Sequence, residues 1–220
     1  MLRVFCAPDG SGGNPLGVFL DGDEVPVGER QRVAADLGFA ETIFVDDPGE
    51  GAVRIFTPVE ELDFAGHPMV GTAWLLARER APVPRLRPPA GEVPVREEGE
   101  LTFVAGRPEW GPPWEFVQAD SPQAVDRLDG PPGGRPLFGV WAWIHEPGGV
   151  IRERVFALGV GIVEDEATGS AAVRLAAVLR RPLDIHQGAQ GSRISARPRE
   201  DGSVDIGGRV ELDEVRPYAI

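Results

Sequence analysis

Short apolar or alternating runs, broken by Gly, Pro and Asp, make up most of the chain. Period-two alternation of that kind predicts strands. They are expected at Leu2–Cys6, Leu16–Leu20, Thr42–Asp46, Val53–Thr57 and Leu62–Ala65. Further strands are expected at Glu92–Arg96, Leu101–Ala105, Leu137–His145, Arg154–Leu158, Arg193–Arg197 and Ser203–Gly207. Asp-Gly pairs at 9–10, 21–22, 129–130 and 201–202 mark turns.

Three segments have helical periodicity. Glu29–Leu37 is amphipathic and suits a surface. His67–Arg80 and Ala167–Arg180 are apolar nearly all round, with Met69 to Ala77 uncharged and only Arg174 interrupting Ala171 to Leu179. A helix without a polar face must be covered on every side. In a chain so rich in strands, a curled sheet is the available cover. The two helix starts lie about 100 residues apart, with strands before and after each. The expected fold is therefore α/β (α+β), with two similar halves, each a curled, mostly antiparallel or mixed sheet round one central buried helix. The Pro/Gly-rich stretch from Arg107 to Pro136 is the junction, giving halves of 1–106 and 107–220. A last strand over about 210–220 is expected to return to the first half.

Composition narrows the chemistry. The 220 residues carry 22 Arg, no Lys and 35 Asp or Glu, a net charge of −13. That field repels phosphate backbones and anionic lipid, which argues against nucleic acid and membrane partners. Without Lys there is no pyridoxal-phosphate Schiff base and no Walker A lysine. The single Cys6 excludes an intrachain disulfide, a CxxC site and a two-cysteine racemase. Three His without metal-ligand spacing predict no metal site. Met69–Ala77 is too short to span a bilayer, and Met1–Cys6 resembles a strand more than a leader, so a cytoplasmic protein is expected.

Three motifs could carry chemistry. In Phe64-Ala65-Gly66-His67-Pro68, Pro68 suits the first helical position, which places His67 at the N-cap beside the positive end of the helix dipole. There His67 either caps a buried helix or serves as a neutral imidazole facing a substrate. In Glu164-Asp165-Glu166-Ala167-Thr168-Gly169-Ser170, small residues and free N–H groups could hold a carboxylate or an enolate-like anion. Ordinary capping by Asp165 or Thr168 is the alternative. Glu41 shares a strand face with Ile43 and Val45. Enclosed, it would be raised into the range of a general acid/base; otherwise it is a strand-end Glu in water. Gly10-Ser11-Gly12-Gly13-Asn14-Pro15 is no phosphate loop, because Pro15 breaks the pattern and no helix follows. Ser170 lacks the flanking glycines of a hydrolase elbow.

Together these stretches resemble the phenazine-biosynthesis PhzF-like family. The resemblance rests on Gly13-Asn14-Pro15, Ala40-Glu41-Thr42, Arg54-Ile55-Phe56-Thr57-Pro58, Glu61 to Pro68 with Gly71-Thr72-Ala73, and Asp165 with Ala167 to Ala172. It implies a diaminopimelate-epimerase-like fold with the site in the cleft between the halves. It also implies a homodimer, no metal and no organic cofactor. By the resemblance, Glu41 matches the proton-carrying acid/base, and His67, Asp165 and Ser170 match residues that bind and polarise the substrate. Asn14, Gly66, Thr168 and Gly169 are the expected substrate-binding positions. Glu166 stands where the family has Pro and is expected to add a charge near the anion site. The implied activity is cofactor-independent proton transfer on a small carboxylate-bearing molecule, an isomerisation. A non-catalytic ligand-binding homodimer and a one-base epimerase or racemase are the alternatives.

Overall fold

The computed structural model describes residues 1–219. Its strands are β1 (Leu2–Cys6), β2 (Gly12–Phe19), β3 (Glu41–Asp47), β4 (Ala52–Phe56), β5 (Glu61–Leu62), β6 (Arg85–Leu86), β7 (Val93–Glu98) and β8 (Leu101–Gly106). They continue with β9 (Glu115–Gln118), β10 (Phe138–His145), β11 (Val150–Ala157), β12 (Ile162–Asp165), β13 (Leu183–Gln187), β14 (Ser192–Pro198) and β15 (Val204–Leu212). The helices are α1 (Val27–Leu37), α2 (Gly66–Glu79), α3 (Pro122–Asp126) and α4 (Gly169–Leu179).

The fold is mixed α/β, dominated by one large mixed sheet. Its order is β5-β4-β3-β2-β1-β15-β14-β13-β11-β10-β9, with β12 beside β11, and with β8 beside β15 and β7. Strand β15 joins the two sides. Its later residues pair with β1, through Val4↔Val210 and Leu2↔Leu212. Its earlier residues pair with β14 and β8, through Ser195↔Gly207 and Val204↔Gly106. The change of neighbour falls at Gly207-Gly208. A Cβ on Gly207 would overlap the Phe103 ring, and one on Gly208 would lie 2.8 Å from the Phe5 ring. Phe5 itself takes φ +70°, at the point where the β1–β15 register shifts. A β-bulge of this kind sharpens local twist and lets a sheet curl.

Helix α2 is buried from Gly66 through Leu76. Gly71 lets β1 and β2 close on it, since a Cβ there would come within 2.6 Å of Leu16 and 2.8 Å of Val4. Helix α4 meets the all-round burial expectation only in its first turns, because Val178 is 65% exposed. One continuous apolar core links Leu2, Val4, Ile43, Ile55, Met69, Leu76, Ala172, Leu175, Ile194 and Ile206. No helix among the described residues is long and apolar enough to cross a membrane.

Some expected boundaries move. Strand β2 starts at Gly12 and runs through Pro15, which sits just before pairing with β3 begins at Leu16, so its missing N–H breaks no bond to β3. The Leu62–Ala65 run is strand only at Glu61–Leu62, because the following residues turn into α2. The returning strand is Val204–Leu212, earlier than expected; the expected 210–220 span also includes residue 220, which lies outside the described residues. Strands β9, β12 and β13 had no clear pattern, being short and flanked by Pro, Gly or charge.

Glu153 is the anomaly of the interior. It is fully buried on β11, opposite Trp141 and beside Gln187, and neither carboxyl oxygen has a partner. Burial pushes its carboxyl up to about 8, with Arg152 opposing. A carboxyl raised on folding supports the fold below the ordinary carboxylate range, and that support is lost as pH climbs toward 8. Glu153→Met should therefore raise the melting temperature more at pH 8 than at pH 5, by about 2–4 °C per kcal/mol regained. Thermal denaturation across that range checks it, and an equal change at both pH values would contradict a buried acid.

Candidate active site

The two central helices begin against each other. Ideal Cβ atoms built on Gly66 and Gly169 would each lie 2.9 Å from the other residue's Cα, so only glycine permits this approach. A Cβ on Gly66 would also meet Ile206 at 2.5 Å. The first-turn amides of a helix have no acceptor within the helix. Two sets of such donors, and two positive dipole ends, therefore converge at one place.

Helix α2 is capped by Ala65 in an extended conformation and starts at Gly66. His67 is thus inside the first turn rather than at the N-cap, and Pro68 is its third residue rather than its first. The ring makes no capping bond. Its Nε2 is buried without a hydrogen-bond partner, 3.4 Å from Glu41 Oε2. Burial drives the imidazole down to about 3, opposed by a backbone hydrogen bond with Pro15. Burial therefore favours the neutral imidazole, where the sequence argued for it from the helix dipole.

Glu41 opens β3, beside Leu16 of β2 in parallel register. Its side chain is 17% exposed and its Oε2 is buried without a hydrogen-bond partner. Burial pushes its carboxyl up to about 8, with the nearby Asp165 charge adding to the shift. The strand-end position does not leave it in water.

Asp165 ends β12, and its carboxylate accepts from two side chains. Asn14 Nδ2 donates to its Oδ1 at 2.8 Å, and to the Ala167 carbonyl at 2.9 Å. The Thr168 hydroxyl donates to Oδ2 at 2.7 Å. Burial raises Asp165 to about 6; the bonds from Thr168 and Asn14 hold it down, and neighbouring Glu166 raises it further. Thr168 occupies the N-cap position of α4, yet its hydroxyl serves Asp165 and makes no cap bond. The capping alternative fails for that reason.

Two contributors were missed from sequence. Gln187 is fully buried; its Nε2 donates to the Asp165 carbonyl and to Thr168 Oγ1, both at 2.9 Å, and its Oε1 accepts the Thr168 N–H at 3.1 Å. Trp114 Nε1 donates to Ser170 Oγ at 3.0 Å. Its own carbonyl accepts from Arg174 Nε at 3.0 Å. The signal for Gln187 was a weak one: Gln187-Gly188 resembles family positions less closely than the other motifs do, and gave Gln187 no role. Trp114 lay in the Pro/Gly-rich junction. Glu166 lies close enough for its charge to raise Asp165, and its carboxylate is bound by the turn between β13 and β14.

The structure thus unites Glu41, His67, Asp165, Asn14, Thr168, Gly66 and Gly169 at the helix starts, with Ser170 next on α4. A cavity of about 400 Å³ lies elsewhere, between Phe19, Leu37, Phe39, Leu75 and Tyr218, and none of the expected site residues lines it. No cluster of His, Cys, Asp and Glu among the described residues is arranged to hold a metal ion.

The chain is similar to known proteins in both sequence and fold. Residues 3–111 match the family model described as phenazine biosynthesis-like protein. The trans-2,3-dihydro-3-hydroxyanthranilate isomerase of Pseudomonas fluorescens is 30% identical, covering 91% of this chain and 89% of that protein. A PhzC/PhzF protein of Clostridium difficile superposes with a TM-score of 0.80 at 19% identity, over 100% of this chain and 98% of its own. A hydroxyproline epimerase of Agrobacterium vitis shares the fold more distantly, with a TM-score of 0.54 at 12% identity over 97% and 89% of the two chains.

The glycine contact is directly testable. Gly169→Ala should cost about 1–3 kcal/mol of stability, read by urea denaturation, since its Cβ forces backbone rather than a flexible side chain to move. An unchanged midpoint would mean that the two helix starts are not in contact.

Proposed function

The chain belongs to the phenazine biosynthesis-like (PhzF-like) family, and from that premise we propose that it is a cofactor-independent isomerase. It would move a proton within a small unsaturated carboxylate, held in a cleft between halves 1–106 and 107–220. The observation that carries this reading is the facing pair of Glu41 Oε2 and His67 Nε2. Both are buried, neither has a hydrogen-bond partner, and they stand 3.4 Å apart where two helices begin. Buried polar atoms left without partners are costly in a purely structural setting. A bound substrate would supply the missing partners.

The roles follow from the electrostatics. Glu41, raised by burial and by Asp165, is basic enough to take a proton from carbon beside an unsaturated system. The electron pair moves into the conjugated system, and the developing negative charge meets the free amides of the α2 and α4 first turns. Glu41 then returns the same proton at a different carbon. The net change is a shift of one hydrogen and of the double bonds, with no oxidant, reductant or cofactor consumed. Neutral His67 orients the substrate without adding charge. Asp165, fixed by Asn14 and Thr168, keeps the basicity of Glu41 high. Ser170, with its Oγ accepting from Trp114, retains a hydroxyl proton to donate to the substrate. A cytoplasmic homodimer is part of the proposal.

The relative's name puts trans-2,3-dihydro-3-hydroxyanthranilate first on a substrate panel. NMR in D₂O, following carbon-bound protons, should show loss or movement of one signal with the wild type. Glu41→Gln should slow turnover by about 10²–10⁴-fold while ligand still binds. Saturable binding without any carbon–hydrogen exchange would replace the isomerase reading with that of a binding protein. With Glu41 as base, kcat/KM should rise with pH and level off above about 8. Asp165→Asn removes the charge that raises Glu41, so the midpoint of that rise should move to lower pH. A midpoint that stays in place would separate Asp165 from the proton carrier.

A further inference from the structure

Glu166 follows Asp165 directly, yet its carboxylate is committed to the opposite task of closing a turn. Oε2 accepts the Ala189 N–H at 3.0 Å. Oε1 accepts the Gln190 N–H at 3.1 Å and the Ser192 hydroxyl at 2.8 Å. Gly188, at φ +71°, presses so closely on this carboxylate that a Cβ there would overlap it. Ser192 is itself fully buried, and its Oγ accepts the Gly13 N–H at 2.8 Å. Gly13, at φ +89°, has no room for a side chain, because a Cβ would lie 2.6 Å from Cys6 Sγ. The next residue is Asn14, whose amide donates to Asp165 Oδ1.

These contacts close a ring. It runs from Asp165 through the chain to Glu166, across to Ser192, across to Gly13, through the chain to Asn14, and across to Asp165. A second path leaves Glu166 through the same turn and reaches Gln187, which binds the Asp165 carbonyl and Thr168. Both paths end on partners of Asp165.

We infer that Glu166 is a positioning residue: through Ser192 and the turn after Gln187 it fixes Asn14 and Gln187, and so sets the placement of the Asp165 carboxylate relative to Glu41. The inference rests on the proposed reaction only in giving Asp165 a part in it; the ring itself is substrate-free. The groups that face Asp165 are Glu41 from β3, Asn14 from β2, Thr168 at the start of α4, and Glu166 beside it on the chain. If the ring loosens, Asp165 loses the Asn14 bond that holds its carboxyl down.

Asn14 is the only Asn in the chain, so selective ¹⁵N-Asn labelling gives a single side-chain amide to follow without substrate. Ser192→Ala cuts the ring but keeps the Glu166 contacts to the turn amides. It should speed solvent exchange of the Asn14 amide by about tenfold. It should also move the Asp165 titration, read by ¹³C-carboxyl NMR, to higher pH. Glu166→Ala should loosen Asn14 at least as much, and Glu166→Gln, which keeps a carbonyl acceptor, should restore part of the protection. A merely structural role for Glu166 would lower the melting temperature of both variants while Ser192→Ala, which keeps the Glu166 charge beside Asp165, left the Asp165 titration in place. Folded Ser192→Ala and Glu166→Ala proteins with unchanged Asn14 exchange and unchanged Asp165 titration would overturn the inference. If Glu166→Ala does not fold, Ser192→Ala alone decides it. Absence of carbon–hydrogen exchange in any compound would bear on the isomerase reading and leave this measurement intact.

Discussion

Everything in the site depends on the backbone contact between Gly66 and Gly169. Two helices can bring their N-termini within van der Waals distance only where neither carries a side chain. That single approach sets the positions of His67 and Ser170, each one residue further on, and of Asp165 and Thr168 just before α4. It also concentrates unpaired N–H groups at one point in an otherwise acidic protein. A net charge of −13 would by itself repel an anionic substrate. The helix starts supply a local field of the other sign, from backbone dipoles that cannot be titrated away.

Within that field the three ionisable groups are separated by their surroundings. Glu41 is raised to about 8, Asp165 to about 6, and His67 is lowered to about 3. Burial is the leading cause for all three, and it acts in opposite directions on acids and on imidazole. The differences between the two acids come from hydrogen bonds, since Asp165 accepts from Asn14 and Thr168 and Glu41 Oε2 accepts nothing. One carboxyl is thereby fixed in place by two side chains, and the buried oxygen of the other has no partner. Two neighbouring acids are thus set apart by their surroundings alone.

Much of this was legible in the residues. The uncharged stretch after His67, and the one after Thr168 broken only by Arg174, required buried helices, and Gly66 and Gly169 lay at their starts. The motifs around Glu41, His67 and Asp165 named the groups that the fold brings together. What could not be read depends on contacts distant in sequence. Gln187 acts because β13 pairs with β11 and ends beside the Asp165–Thr168 segment, a register that no local pattern encodes. Trp114 reaches Ser170 from a segment whose prolines and glycines give no periodicity. Glu166 adds its charge beside Asp165, but the turn that holds its carboxylate forms some twenty residues later and could not be read from its neighbours. Glu153 gave no sign at all, since its alternating neighbours on β11 are those of an ordinary strand.

Strand β15 carries a consequence for how the molecule comes to exist. It lies between β1 and β14 and also touches β8, and its Ile206 packs on Gly66 at the heart of the site. It is translated after every element that it joins. Until it docks, β1 presents an unpaired edge, and the two helix starts lack the wedge between their supporting strands. Pairing of Leu2 with Leu212 closes a loop of nearly the whole polypeptide, and loop closure on that scale slows folding. Such a topology puts the assembly of the site after the synthesis of β15, and it leaves one edge of β1 without a partner in the interval.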